Sequence, residues 1–287
     1  MDVLGQRKGL IEDRLEAVVE RVDPEQLSDE LRHATLSGGK RVRPIVTLLA
    51  CEAAGGDAES DRAVEFGVGV ELVHTASLVI DDIIDRSAVR RGVDSTWAEF
   101  GYGPAIVASD GLLGEAFALF SAEPRAAQIV SEAMVELGEG EAMELVDRPT
   151  NREEYMELAR RKTGVLFRAA AELGAVAADA EPYAVECFGE YAERVGVAFQ
   201  IRDDVLDATA DAAELGKPTG TDAAMDRPSI VQVTDLETDE ANDLARAQAD
   251  AAMAALGDVE ATLDEAAGAT AMEYLRDLAE FVVVRER

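Results

Sequence analysis

The sequence predicts an all-α fold, one domain spanning residues 1–287 and built from roughly ten or more helices. Three observations lead there. Ala, Val, Leu and Glu dominate while aromatic residues make up only 5% of the chain, a mixture that favours helices. Proline and glycine punctuate long apolar segments where helices begin and end. No strand alternation, low-complexity linker or fixed-period repeat interrupts them. With 48% hydrophobic residues, 287 residues can bury a substantial core.

The elements follow in order. Pro44 opens P-I-V-T-L-L-A-C-E-A-A, which Gly55-Gly56 stop. Residues 62–85 form a long apolar-periodic segment. T-N-R-E from Thr150 has capping-box spacing and leads a helix through Lys162. Pro182 starts a segment reaching Asp207. Residues 208–228, with Gly216, Pro218, Gly220 and Pro228, read as a loop or broken helix. From Asp235 the pattern is helical again, interrupted near Gly257 and Gly268. Cys51 and Cys187 sit in apolar helical patterns and read as reduced core thiols.

Charge excludes some functions. The chain carries 59 acidic against 27 basic residues, a formal net charge of -32. Nucleic-acid binding through a basic surface and adsorption to an anionic membrane are both opposed. No signal-like start opens the chain and no stretch approaches 18 apolar residues, so a cytoplasmic protein without stable membrane insertion is expected. Lys8, Lys40, Lys162 and Lys217 are the only lysines. An acidic, lysine-poor surface suits a high-salt, halophilic cytoplasm. It also gives the surviving lysines weight.

The chemistry is concentrated in two aspartate clusters. V-I-D-D-I-I-D at 79–85 places Asp81 and Asp85 on one helical face, with Asp82 beside them. Like charges at that spacing repel unless a cation lies between them. One such cluster is a natural product of an acidic composition. The second, Asp203, Asp204 and Asp207 in F-Q-I-R-D-D-V-L-D, repeats the spacing among core-like neighbours, which makes a solvated-face reading a poor account of both together. Carboxylate faces bind hard divalent cations, and Mg²⁺ completes its shell with water and phosphate oxygens. Fixed cations lie near each cluster in G-K-R-V-R-P from Gly39, R-R-G from Arg90, K-T-G from Lys162 and G-K-P from Gly216.

In this order the motifs resemble those of the trans-type polyprenyl diphosphate synthases, from about Ser37 to Pro228. The resemblance implies an isoprenoid-synthase bundle around a central cavity, binding isopentenyl diphosphate and an allylic diphosphate, and a homodimer. It implies that Asp81, Asp85 and Asp203 hold Mg²⁺, three ions per site with diphosphate bound. Asp82, Asp204 and Asp207 would be further ligands or would hold ligands and waters. Arg90, Lys162, Thr163, Gln200 and Lys217 would line the allylic site, and Lys40, Arg43, His74 and Arg91 would bind isopentenyl diphosphate. Arg227 stands where the family commonly has a further lysine, keeping the phosphate contact, and Ser109-Asp110 replaces a usual G-D.

Chain length follows from the same helix. Short-chain relatives place an aromatic four or five residues before the first aspartate. Here Ala76 and Ser77 occupy those positions, with Val73 and Gly69-Val70 beyond, an open channel unless another helix closes it. A product of C20 or longer, first geranylgeranyl diphosphate, is expected. The rival readings are a class I terpene cyclase, disfavoured by G-K-R-V-R-P and R-R-G, and a non-catalytic regulatory subunit, disfavoured by two intact aspartate motifs.

Overall fold

The computed structural model describes residues 3–213, 228–234, 236–261 and 268–284. The helices, in chain order, are α1 (Val3–Glu20), α2 (Glu25–Leu36), α3 (Val42–Ala53), α4 (Asp61–Ile84), α5 (Thr96–Phe100), α6 (Tyr102–Phe120) and α7 (Pro124–Ala142). They continue as α8 (Arg152–Ala159), α9 (Val165–Ala177), α10 (Pro182–Ala213), α11 (Ile230–Val233), α12 (Thr238–Glu260) and α13 (Ala269–Val284). Single π-helical turns follow α7 at Met143–Asp147 and α8 at Arg160–Gly164.

α4 is the organising element. Ser60 caps it by accepting a hydrogen bond from the Ala63 N–H at 3.3 Å, a contact worth about 1 kcal/mol. Its residues from Ala63 to Val79 are almost entirely buried, because α3, α6 and α9 pack around it. α9 and α12 flank α10 in turn. The apolar cluster thus runs through α3, α4, α6, α9 and the first half of α10. Both aspartate motifs lie beyond it, at the C-terminal end of α4 and in the second half of α10. A helix that is apolar all round must be covered by others, and this is what holds a charged terminus in a fixed place.

Several expectations need correction. α3 begins at Val42, so Pro44 sits inside the first turn rather than opening it. The N-cap of α8 is Asn151, whose Oδ1 accepts from Glu154 N at 3.0 Å, while the Glu154 carboxylate takes the Thr150 N–H at 2.7 Å. After Ala159, α8 passes directly into the π-helical turn Arg160–Gly164, so the helical run expected through Lys162 is present with a change of pitch. α10 continues through Ala213 where a loop was expected, and Gly257 lies within α12. Residues 89–94 form a small antiparallel hairpin, Val89–Arg90 with Val93–Asp94, that no alternation announced. Finally, α4 and α6 are both long and apolar enough to cross a membrane by length and composition. For α4 the explanation is burial in the core, which covers 72% of its most apolar stretch. For α6 the figure is only 39%.

Candidate active site

The first aspartate motif ends α4. Asp82 is only 3% exposed, and Arg90 grips it through Nε at 2.9 Å and Nη2 at 2.6 Å to the same carboxylate oxygen. The hairpin delivers Arg90. Its two turn residues, Arg91 and Gly92, have φ of +54° and +84°, the type I′ geometry that matches the twist of the flanking strands. Glycine at the second position is the residue that adopts this without steric cost. The R-R-G motif is thus a turn first. Arg91 donates to the carbonyl of Gly38, and its Nη1 lies 2.8 Å from where a side chain on Gly39 would begin. The glycines before Lys40 leave room for that guanidinium.

A basic cluster fills the space behind this loop. Arg43 donates from Nη1 to His74 Nε2 at 3.0 Å and lies 4.6 Å over the Phe167 ring. Burial pushes the Arg43 pKa down to about 10, and neighbouring Arg91 acts in the same direction. Burial also holds His74 well below the usual imidazole range, reinforced by Arg43, Arg91, Arg90 and Arg41. A neutral imidazole accepting at Nε2 carries its proton on Nδ1. Arg41, in the middle of the motif, serves the fold instead: it donates to Glu71 at 2.7 Å and to the Thr35 carbonyl at 2.6 Å, all buried. Lys40 is exposed on the same loop.

The second motif is built differently. The π-helical turn Arg160–Gly164 presents Thr163 to α10, where its hydroxyl donates to Gln200 Oε1 at 2.7 Å. Gln200 Nε2 then donates to Asp204 Oδ1 at 2.8 Å. The other Asp204 oxygen accepts from the Tyr155 hydroxyl at 2.6 Å and from the Ile230 N–H at 2.9 Å. Asp204 is 3% exposed, while Asp203 and Asp207 are half-buried beside it. Lys162, on the same turn, pairs with Glu144 and with Glu141 at 3.3 Å. Burial lowers the Lys162 pKa, but Glu144, Glu141 and Asp81 outweigh it and leave the ammonium strengthened. Burial pushes Glu141 up to about 7, with Asp81 and Glu144 adding to the rise against Lys162. Asp81 of the first motif therefore shares a field with Lys162, and Thr163 and Gln200 connect that turn to the second motif.

The structure thus gathers Arg43, His74, Arg90, Arg91 and Asp82 on one side, and Lys162, Thr163, Gln200 and Asp204 on the other. Lys217 and Arg227 lie outside the described residues. Ala76 is buried under α6, where Ser109 Oγ donates to its carbonyl at 3.2 Å. Val73 is also buried and Ser77 half-buried. Sequence reasoning missed Glu141, Glu144, Tyr155 and Glu71. The i, i+3 pair in G-E-A-M-E was the available signal for the first two, hidden by the acidic background.

Among the described residues no group of three His, Cys, Asp or Glu side chains is already arranged around one point. The available donors near Lys162 are carboxylate oxygens, among them Glu141, which burial lifts to about 7 with Asp81 and Glu144 adding to the rise. That chemistry fits Mg²⁺, which takes one or two carboxylates and fills its octahedron from water and phosphate.

The chain is similar to known proteins in both sequence and fold. The polyprenyl synthetase family model matches residues 24–266. A geranylfarnesyl diphosphate synthase of Aeropyrum pernix is 36% identical over 225 residues, covering 74% of this chain and 71% of that protein. A geranylgeranyl diphosphate synthase of Methanosarcina mazei is 31% identical, covering 97% and 87%. Among solved structures, a decaprenyl diphosphate synthase from Rhodobacter capsulatus superposes with TM-score 0.87 at 26% identity, covering 99% of this chain and 97% of that one. A geranylgeranyl pyrophosphate synthetase from Geoglobus acetivorans gives 0.85 at 28%, covering 99% and 98%. The chain belongs to the polyprenyl synthetase family and is a prenyltransferase.

Proposed function

We propose that the protein condenses isopentenyl diphosphate with an allylic diphosphate to give a trans-polyprenyl diphosphate, with geranylgeranyl diphosphate as its main product. The observation that carries this reading is the connection between the aspartate motifs. Asp81 acts on Lys162, and Thr163, next along the same turn, joins Gln200 and Asp204 through bonds of 2.7 and 2.8 Å.

Lys162 and Arg90 face the departing diphosphate, and their charge is worth most in a site from which water is excluded. Mg²⁺, three ions held by Asp81, Asp85, Asp203 and their neighbours Asp82, Asp204 and Asp207, would neutralise that diphosphate when bound. The allylic C–O bond breaks and the diphosphate carries away the electron pair. The double bond of isopentenyl diphosphate attacks the cation, forming the new C–C bond. A proton then passes to the released diphosphate, leaving a trans double bond. Thr163 and Gln200 turn oxygen dipoles toward the cation. Arg43, His74, Arg91 and Lys40 bind the second diphosphate, with neutral His74 orienting the Arg43 guanidinium. Lys217 and Arg227 are assigned to the allylic phosphates by their motifs alone.

The channel reading places Ser77, Ala76 and Val73 along the growing chain. The protein acts as a homodimer, a reading supported by Tyr102, Ile106 and Val107, about half exposed on an otherwise apolar α6. It works in a saline cytoplasm. Incubating the purified protein with Mg²⁺, isopentenyl diphosphate and farnesyl diphosphate in high salt, then separating products by chain length, tests the proposal. A C20 product is expected, and absence of any condensation product would overturn it.

A further inference from the structure

Asp81 fixes one end of any prenyl chain lying along α4. Continuing down its side of the helix come Ser77, Val73 and Val70, at i−4, i−8 and i−11. All are small or aliphatic. Gly69, next to Val70 and stacked under Val73, has no side chain because another residue occupies that space. A Cβ there would meet Phe120 Cζ at 2.3 Å and Cε1 at 2.8 Å. Phe120 comes from the last turn of α6, is fully buried, and packs against Phe66 of α4 with ring centroids 5.9 Å apart. Phe66 and Phe120 thus form an aromatic pair at the level of Gly69.

We infer that Phe120, seated over Gly69 and backed by Phe66, closes the far end of the prenyl channel and sets the product length. This rests on the prenyltransferase reading above. Gly69 lies 12 positions before Asp81, about 18 Å down the helix. An isoprene unit adds four main-chain bonds of ~1.5 Å, so about 18 Å accommodates roughly three to four extended units. The barrier therefore falls where a C20 chain ends. The helix that closes the channel is α6, as the sequence left open. Its register against α4 is fixed by the Ser109 hydroxyl on the Ala76 carbonyl at 3.2 Å. An aromatic four or five residues before Asp81 is unnecessary when one enters from α6 further down.

The test is the product distribution of Phe120→Ala and Phe120→Leu, read by chromatography with farnesyl diphosphate as primer. The expected result is about a tenfold rise in the proportion of C25 and longer products, larger for alanine than leucine. Product ratio is chosen because general destabilisation lowers rate without lengthening chains. Should Phe120→Ala fail to fold by circular dichroism, Phe120→Leu and Phe120→Met carry the test. An unchanged C20 distribution in folded, active variants overturns the inference while leaving the prenyltransferase reading intact. Folded variants that condense nothing also count against it, because removing a floor leaves the diphosphate end in place. A wild-type protein making no condensation product instead sinks the reading on which the inference rests.

Discussion

At the end of α4, a guanidinium holds Asp82 through bonds of 2.6 to 3.0 Å. On α10, Asp204 is held just as closely, but by a phenol, a carboxamide and a backbone N–H. Both carboxylates are 3% exposed and both flank a half-buried aspartate of the same motif. The first is positioned by an opposite charge. These three Asp204 donors are neutral groups, so their bonds fix the carboxylate without themselves supplying an opposite charge. The R-R-G side is thus a region of balanced or positive charge around Arg43, His74 and Arg91. Near Lys162 and α10, burial raises Glu141 to about 7, and the carboxylates of Asp81 and Glu144 add to the rise. The two motifs share a spacing, and their surroundings assign different work to their second aspartates.

The sharpest test of this contrast removes an aspartate from each motif. Asp81→Ala and Asp203→Ala are each expected to reduce kcat by about 10³-fold, as for loss of a principal electrostatic contact in the transition state. Steady-state kinetics at saturating Mg²⁺ check this, and a loss under tenfold in either would remove that residue from the reacting centre. Next comes Arg90→Ala, which strands a buried carboxylate and should cost about 3 kcal/mol in denaturant unfolding. Tyr155→Phe, deleting one donor to Asp204, should cost about 2 kcal/mol. The half-exposed Arg90 pair should weaken as salt rises while the Tyr155 effect stays constant. Equal salt dependence would erase the distinction between the two sides.

The smallest effect belongs to a carboxylate outside both motifs. Burial pushes Glu172 on α9 up to about 7, with Glu132 and Glu193 adding to the rise and Arg168 opposing it. A raised carboxylate pKa means the folded state holds the proton more tightly than the unfolded one. Stability from this group is therefore greatest at low pH, declines from the ordinary carboxylate range to about 7, and is level above that. Glu172→Gln should flatten this decline and add about 1–2 kcal/mol at pH 8 relative to wild type. Unfolding midpoints measured at pH 5 and 8 decide it.

Helices and their apolar faces were legible because their signals are local: the long segment ending at Asp85, Pro182, and the glycines after α3. Lys162, Thr163, Gln200 and Asp204, which the fold brings together, stood out in the sequence because they lie in short motifs. What escaped depends on partners distant in sequence. Tyr155 reaches Asp204 across 49 positions, Arg41 meets Glu71 across 30, and no local pattern reports either. Glu141 and Glu144 escaped for another reason: in a chain with 59 acidic residues, two more carry no contrast. The continuation of α10 past Asp207 escaped because alanines permit helix without announcing it.

The π-helical turn at Arg160–Gly164 has a consequence for how this site tolerates length changes. Such a turn holds one residue more than an ordinary α-helical turn. Deleting a single residue there would restore a regular helix, and everything on one side of it would rotate by about 100° relative to the other. Thr163 would swing off Gln200 and Lys162 off Glu144, although no catalytic side chain had been replaced. The reading frame of this one turn is thus inherited together with its residues. A chain one residue shorter would keep the composition of the site and lose its geometry.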